Sequence, residues 1–402
     1  MLNPLSQESD IILNSMKIVR VKKTKRVLGG YLWVFSNEIE GKLKGFTPGE
    51  LVELTDRRGN FLAIGYINPR SLIAVRILSR KKTEINHSFF KTRIEEALLY
   101  RQKIYSGFES YRVVFSESDL LPGLIVDRYG DVVVVQILTA GMEGFKDTIV
   151  DIIKKLLNPS CIIMRNDSPF RQMEGLEIEK AIVDGSLERL PIIKEAGLQF
   201  EVDPLEGQKT GFFLDQRENR QAFASLIDGG EGLDLFCYTG AWGLHTAQQG
   251  AKVTCVDSSK TALYMAERNA ILNGVANRVE FVCADVFEYL TELRATRKKY
   301  DFIVLDPPAF VKSRSTLNKA IKGYRSINAN AMALLKKGGF MATSSCSHHL
   351  SEEDFLDVIR YAAQVINRYV RVIELRSQAK DHPVLLSMPE TRYLKCAILQ
   401  VF

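Results

Sequence analysis

The side chains best suited to chemistry lie in the second half of this 402-residue chain, at the ends of short apolar runs. One run ends in Asp234-Leu235-Phe236-Cys237-Tyr238-Thr239-Gly240, and Asp257 closes another 23 residues later. A carboxylate at that second position can accept hydrogen bonds from both hydroxyls of a ribose. Asp285, in Cys283-Ala284-Asp285-Val286-Phe287, is placed to take the amino group of an adenine, although a loop aspartate by itself often only turns or caps the chain. Further on, Asp306-Pro307-Pro308-Ala309-Phe310 couples a carboxyl group to an aromatic ring through two prolines that stiffen the loop. Asp306 could bond the polar edge of a nucleobase while Phe310 packs against it; a rigid structural turn is the other reading of the proline pair. Last comes Thr343-Ser344-Ser345-Cys346-Ser347-His348-His349, whose thiol is a nucleophile if it faces a cleft and ionises, and inert packing otherwise. The adjacent histidines cannot readily chelate one metal together, and no metal is expected.

These groups need a scaffold that brings strand ends together. Candidate strands at 232–235, 252–256, 279–282, 302–305, 339–344 and 370–375 alternate with helical patterns, which implies a mostly parallel, doubly wound α/β sheet. Ligands of such sheets sit beyond the carboxyl ends of the strands. Gly240 would let the backbone approach a ligand, and Gly243 would let the following helix pack on its strand. Three glycines in the spacing of a dinucleotide fingerprint are not present, so a nicotinamide site is a poor fit. Ser258 is the expected cap of a helix running to Gly274. Before this region, apolar alternations between Lys17 and Arg80, broken by turns such as Thr47-Pro48-Gly49-Glu50, predict a small β-barrel or sandwich. A helix is predicted over 88–105 with a stripe of Phe89, Ile94, Ala97, Leu98 and Ile104. A second α+β unit follows over about 111–200, with a strand at 132–138 and a helix at 145–157 that Asn158-Pro159-Ser160 breaks. The expected division is an N-terminal tail at 1–15, a β-barrel domain at 16–90, an α+β middle domain at 91–200 and the catalytic domain at 201–402.

A glycine-bearing first loop, a ribose-side acid and an adenine-side acid together resemble the class I fold of S-adenosylmethionine-dependent methyltransferases. In that setting Cys346 acquires a specific use. A thiolate adding to C6 of cytosine gives an enamine-like intermediate that takes a methyl group at C5, after which a base removes the C5 proton. Asp306 near ring N3 would offset the developing charge.

Over nearly its whole length the chain further resembles the large-subunit ribosomal RNA cytosine-C5 methyltransferases that carry an N-terminal PUA domain. Gly30-Tyr31-Leu32-Trp33-Val34-Phe35 and Pro48-Gly49-Glu50-Leu51-Val52 look like the PUA segment. Ser116-Glu117-Ser118-Asp119-Leu120-Leu121-Pro122-Gly123, with Asp127-Arg128-Tyr129-Gly130, is similar to the middle domain. The most specific signature is Gln208-Lys209-Thr210-Gly211-Phe212-Phe213-Leu214-Asp215-Gln216-Arg217, and Asp381-His382-Pro383, Pro389-Glu390 and Tyr393-Leu394-Lys395 match the C-terminal end. The resemblance implies S-adenosylmethionine as cofactor, held by Asp234, Phe236, Tyr238, Thr239, Gly240, Asp257 and Asp285, with Gln208, Asp215 and Arg217 helping to enclose it. It implies Cys346 as nucleophile and Asp306 as its partner, with Pro307, Pro308, Phe310 and Lys312 on the substrate side. Related enzymes with two cysteines place the second just after the prolines; here that residue is Ala309. Cys346 would then act alone, with His348 or a water as proton acceptor.

Composition sets the remaining bounds. The apolar share of 46% and charged share of 25% are those of a globular protein, and no apolar run approaches the length of a membrane span. The first residues lack the pattern of a signal peptide, so a cytoplasmic location is expected. Six cysteines (161, 237, 255, 283, 346 and 396) show no metal-finger spacing. The net charge is +6, and residues 1–100 hold 17 Lys/Arg against 10 Asp/Glu, leaving the rest near neutral. That surplus fits an RNA partner as well as it fits an ordinary solvated face. No membrane partner is expected, and a homodimer is left open. Two other functions compete: methyl transfer to an exocyclic amine by the Asp306–Phe310 loop, which needs no thiol, and a non-catalytic RNA-binding assembly factor.

Overall fold

Short β-branched runs between turn residues form the first sheet, in a computed structural model that describes residues 16–310 and 317–402. The tail expected at 1–15 and the substrate-side Lys312 lie outside the described residues. Strands β1 (Lys17–Arg20), β2 (Trp33–Phe35), β3 (Glu50–Thr55), β4 (Phe61–Ile67) and β5 (Ile73–Ser79) pair in the order β1-β3-β4-β5-β2. Val52, Leu54, Ile67 and Val75 are wholly buried in it. Gly65 sits mid-strand because a Cβ there would lie 2.4 Å from the Arg76 carbonyl of β5.

Helix α1 (His87–Ile104) starts where Asn86 Oδ1 accepts the Phe89 N–H. Its inward stripe is Phe90, Ile94, Ala97 and Leu98, so Phe90 takes the core position expected of Phe89. Strands β6 (Ser110–Phe115), β7 (Leu124–Tyr129) and β8 (Val132–Ile137), helix α2 (Lys146–Leu157), and strands β9 (Cys161–Asn166) and β10 (Glu179–Gly185) complete the first compact unit. Their sheet runs β10-β9-β8-β7-β6, with β8 and β9 parallel. Two later segments, Asp203–Phe212 and Asp381–Thr391, fold with this unit. They are tied in by charge: Arg112 forks onto Asp127 at 2.7 Å through both oxygens, and Thr210 Oγ1 donates to Asp127 at 2.6 Å. The Arg112 backbone N–H donates to Asp381 at 2.9 Å.

The second unit comprises Ile192–Val202, Phe213–Lys380 and Arg392–Phe402. A hairpin of β11 (Ile192–Glu195) and β12 (Leu198–Glu201) is followed by α3 (Arg217–Ala224), β13 (Glu231–Leu235), α4 (Ala241–Gln248), β14 (Lys252–Asp257), α5 (Lys260–Leu272), β15 (Val279–Cys283), α6 (Val286–Thr296) and β16 (Tyr300–Leu305). Then come α7 (Leu317–Ala333), β17 (Leu335–Ser345), α8 (Glu352–Val365), β18 (Val370–Arg376) and β19 (Lys395–Val401). The seven-stranded sheet reads β15-β14-β13-β16-β17-β19-β18. Strands β13 to β17 are parallel, while β19 inserts antiparallel between β17 and β18. The six expected strands are present; β19 was not expected. Ser259, not Ser258, caps α5: its backbone is extended and its hydroxyl accepts the Ala262 N–H. Among the described residues no helix is long and apolar enough to cross a membrane.

Candidate active site

The connection leaves β13 outward to β14 and β15 and returns inward to β16, so the strand order reverses between β13 and β16. A crevice at the carboxyl ends follows from that reversal. The loop after β13 holds three left-handed residues in alternation, Phe236 (φ 63), Tyr238 (φ 50) and Gly240 (φ 79). For the two side-chain-bearing residues this costs about 1–3 kcal/mol each. Hydrogen bonds hold them there: the Cys237 N–H donates to the Val256 carbonyl at 3.1 Å and the Tyr238 N–H to Asp257 Oδ2 at 2.9 Å. The other Asp257 oxygen accepts from the Ser259 N–H at 2.9 Å, so this carboxylate joins the first and second loops. Thr239 is buried, and its hydroxyl has no hydrogen-bond partner among the described residues.

Asp234 lies beneath this loop, wholly buried, with Oδ2 accepting the Gly243 N–H at 2.7 Å. Its Oδ1 has no hydrogen-bond partner among the described residues. Burial pushes its acid up to about 7; the Gly243 N–H opposes this, and the charges of Asp306 and Asp257 add to it. Gly243 is the close-packing position expected of it, since a Cβ would lie 2.5 Å from Cys255 Sγ. Asp285 caps α6, Oδ1 accepting from the Phe287 and Glu288 amides. It therefore has the capping role weighed for a loop aspartate, at the carboxyl end of β15 where a ligand acid was expected.

The signature residues divide. Gln208 is exposed on the segment that folds with the first unit. Asp215 and Arg217 are buried in the second. Asp215 Oδ2 accepts from the Tyr393 hydroxyl at 2.5 Å, and Arg217 lies 3.6 Å from Glu195. Glu195 also accepts from Arg220 Nε and Nη2 at 2.7 Å and faces His245 at 3.0 Å. Burial disfavours its charge, but Arg220 and His245 outweigh that and hold its carboxyl far below the usual range.

On the catalytic side, register sets Leu305 of β16 opposite Thr343 of β17, so Asp306 and Ser344 emerge side by side. Gln216 Nε2 donates to both Asp306 oxygens at 3.0 Å and lies 3.2 Å from Ser344 Oγ. Trp242 Nε1 donates to Asp306 Oδ2 at 3.0 Å. Asn219 Nδ2 donates to Gln216 Oε1 at 2.7 Å, which fixes the Gln216 amide with its nitrogen toward the carboxylate. Pro307 is buried and Pro308 exposed. Phe310 packs its ring on Tyr324 (4.6 Å between centroids) and Phe287 (5.8 Å), which makes it part of the wall.

Cys346 follows the last residue of β17 and is half-buried. Opposite Ser345 in the β17–β19 register stands Lys395, buried, with Nζ donating to the carbonyls of Ser347 at 2.7 Å and Tyr393 at 2.9 Å. Burial lowers its ammonium to about 8, while the nearby Cys346 favours the charged form. Tyr324, bonded to Ser345 and Ser347 at 3.0 Å, is raised mainly by burial and in part by Cys346. Two other thiols are of a different kind: burial pushes Cys396 up to about 12 and Cys237 well above the ordinary thiol range. His348 is exposed and stacks on Tyr393 at 5.6 Å. No group of three or more metal-ligating side chains occurs among the described residues.

Residues 18–80 match the model of a PUA-like domain and residues 179–374 that of an S-adenosylmethionine-dependent methyltransferase. Ribosomal RNA large subunit methyltransferase I from Shewanella denitrificans is 41% identical over 92% of this chain and 95% of its own length. The chain belongs to the ribosomal RNA large subunit methyltransferase I family. The family member from Aeromonas hydrophila is 39% identical over 96% of this chain and 99% of its own length. A solved S-adenosylmethionine-dependent methyltransferase from Streptococcus mutans superposes with a TM-score of 0.84 at 22% identity, covering 96% of this chain and all of that one, and this likeness carries the fold. S-adenosylmethionine is thus the cofactor of this family member, and the site fits it: a buried hydroxyl without a partner at Thr239, a loop shaped by Gly240 and an acid at Asp257.

Sequence reasoning missed Gln216, Trp242, Tyr324 and Lys395 as parts of the site, and Glu195, Arg220 and His245 as the ion cluster beside it. Gln216 and Lys395 stood inside quoted signatures, but only their spatial partners give them a role.

Proposed function

We propose that this enzyme methylates C5 of a cytosine in large-subunit ribosomal RNA through a covalent adduct between Cys346 and cytosine C6. The observation that carries the proposal is the position of Cys346 at the carboxyl end of β17, half-buried, beside the Asp306 strand and within the field of the Lys395 ammonium. S-adenosylmethionine supplies an electrophilic methyl carbon when bound. Asp257 would hold the ribose hydroxyls, the Thr239 hydroxyl would gain a partner, and Asp234 would brace the loop from below.

A cytosine unstacked from its RNA would lie with its N3 edge at Asp306. Lys395 favours the ionised form of Cys346, and the thiolate adds to C6, forming the S–C6 bond. The ring electrons then sit on the enamine side, with Asp306 sharing a proton at N3 to offset the charge. C5 would then take the methyl group, its former bond to the donor sulfur breaking with the electron pair left on sulfur as the neutral thioether S-adenosylhomocysteine. A base, His348 or a water, removes the C5 proton; the S–C6 bond breaks, and the electron pair returns to sulfur. Gln216 and Trp242 do no chemistry here: they fix the Asp306 carboxyl in one orientation.

The test is Cys346→Ala, assayed for methyl transfer to ribosomal RNA, for cofactor binding by calorimetry, and for the methylated base by bisulfite mapping. Transfer is expected to fall below about one-thousandth with cofactor binding unchanged. Full activity in that variant would sink the adduct and favour transfer to an exocyclic amine at the Asp306 loop.

A further inference from the structure

A groove of about 1000 Å³ opens by the amino ends of the second unit's strands, the opposite end from Asp306 and Cys346. Its lining includes the first residues of β17, one face of α7 down to Ala333, and the last turns of α8. These are the amino ends of β16 and β17, so one strand length, roughly 20 Å, separates the groove from the candidate active site.

Seven of the lining side chains are Lys or Arg, and none is Asp or Glu. Some of this charge is structural. Arg368 donates to the Met332, Leu335 and Phe402 carbonyls, and Lys336 bonds Asp301 at 2.9 Å. The rest meets no carboxylate among the described residues. Arg294 donates to the Asn330 amide oxygen at 2.7 Å. Lys322 and Lys337 are exposed and have no ion pair among the described residues. The Arg325 guanidinium lies 4.3 Å from the Tyr361 ring centroid, and among the described residues its buried Nε has no hydrogen-bond partner. Tyr361 itself is 44% exposed.

A single small anion is held by donors that converge. Here the cations are strung out: Lys322 and Arg325 lie about 5 Å apart along α7, with Lys319 one turn nearer its start outside the groove, and Lys337 joins the lining from β17. An arginine over an exposed tyrosine adds a face on which a base can stack. Helix α7 begins shortly after the Asp306 loop and ends in the groove, so its exposed lysines mark a path between the two.

We propose that this groove binds the sugar-phosphate backbone of an unpaired segment of the RNA substrate, away from the nucleotide that reacts. The proposal rests on RNA being the substrate. It makes the methyltransferase unit itself, through the amino ends of its strands, a determinant of RNA affinity.

The test is the triple variant Lys322→Glu, Arg325→Glu, Lys337→Glu in the full chain, none of which lies in the catalytic or cofactor machinery. Binding of a ribosomal RNA fragment is followed by fluorescence anisotropy across a range of salt. Expected is a Kd raised about 10- to 100-fold near 0.1 M salt, and a log–log salt slope reduced by about 2, since each lost phosphate contact removes somewhat less than one unit. Cofactor affinity and kcat at saturating RNA should hold, which shows that the variant is folded; the corresponding Gln triple should give a smaller shift in the same direction. In the wild type, ultraviolet cross-linking should place RNA on the peptide containing Tyr361. An unchanged Kd and salt slope overturns the proposal, and would be the outcome if the groove served an acidic protein or a small anion. Tight RNA binding by the wild type together with full methylation by Cys346→Ala would remove the adduct mechanism and leave the groove standing. A wild type that binds no ribosomal RNA removes both.

Discussion

Buried charge is handled differently in the two units. In the first, each deeply buried cation meets a carboxylate in a well-formed pair: Arg101 forks onto Asp119 at 2.5 and 2.8 Å, Arg112 onto Asp127 at 2.7 Å, and Arg76 reaches Glu174 at 2.9 Å. In the second, the Glu195 cluster follows that pattern, but the strand ends around the site do not. Among the described residues Asp234 keeps one oxygen without a donor, the Thr239 hydroxyl has no partner, and the Lys395 ammonium meets two carbonyls. Complete pairing gives rigidity with nothing left over for a ligand. Incomplete pairing where strands end is what a site awaiting a cofactor requires.

The contrast can be broken from either side. The largest effect is expected from Asp127→Ala, which leaves Arg112 buried without its partner and costs about 3–5 kcal/mol, read by urea unfolding. A loss under 1 kcal/mol would mean that the first unit's pairs are not what hold it. Next is Asp234→Asn. Because the folded-state acid is raised to about 7, the folded protein binds the extra proton between about pH 4 and 7, and wild-type stability falls as pH rises through that window. The Asn variant should lack that fall, a difference of about 2–4 kcal/mol at pH 8. Identical pH profiles would show that Asp234 carries no strain. Gln216→Ala frees the Asp306 carboxyl and should lower kcat about 10- to 100-fold with cofactor affinity unchanged. The smallest effect is that of Lys395→Met: loss of the ammonium should move the rising limb of the rate–pH profile upward by about one unit. An unmoved limb would assign Lys395 to strand pairing alone.

What the sequence disclosed depended on how local each signal was. The parallel strands were legible because they are short apolar runs, three of them with an acid at or just past the end (Asp257, Asp285 and Asp306), and Gly243 because helix-on-strand packing needs a missing Cβ. Strand β19 was not legible: Lys395-Cys396-Ala397-Ile398-Leu399-Gln400-Val401 is an apolar run whose period does not separate strand from helix, and its antiparallel place depends on β17, some 50 residues earlier. Gln216 and Trp242 escaped notice for the same reason, since their bonds to Asp306 span 90 and 64 residues. Ser259 for Ser258 and Phe90 for Phe89 are one-residue errors, within the slack that end-of-helix patterns leave.

The place of β19 in the sheet bears on how the enzyme is born. As the polypeptide leaves the ribosome, β13, β14 and β15 can pair as soon as they emerge, and a nucleoside pocket can exist early. Strand β18 has no neighbour until β19 arrives, and the lysine beside the thiol arrives with it. A nascent chain halted before residue 395 would carry the β13–β15 strand ends and Cys346 but not the Lys395 ammonium beside it. Under the mechanism proposed above, reactivity would then be switched on last.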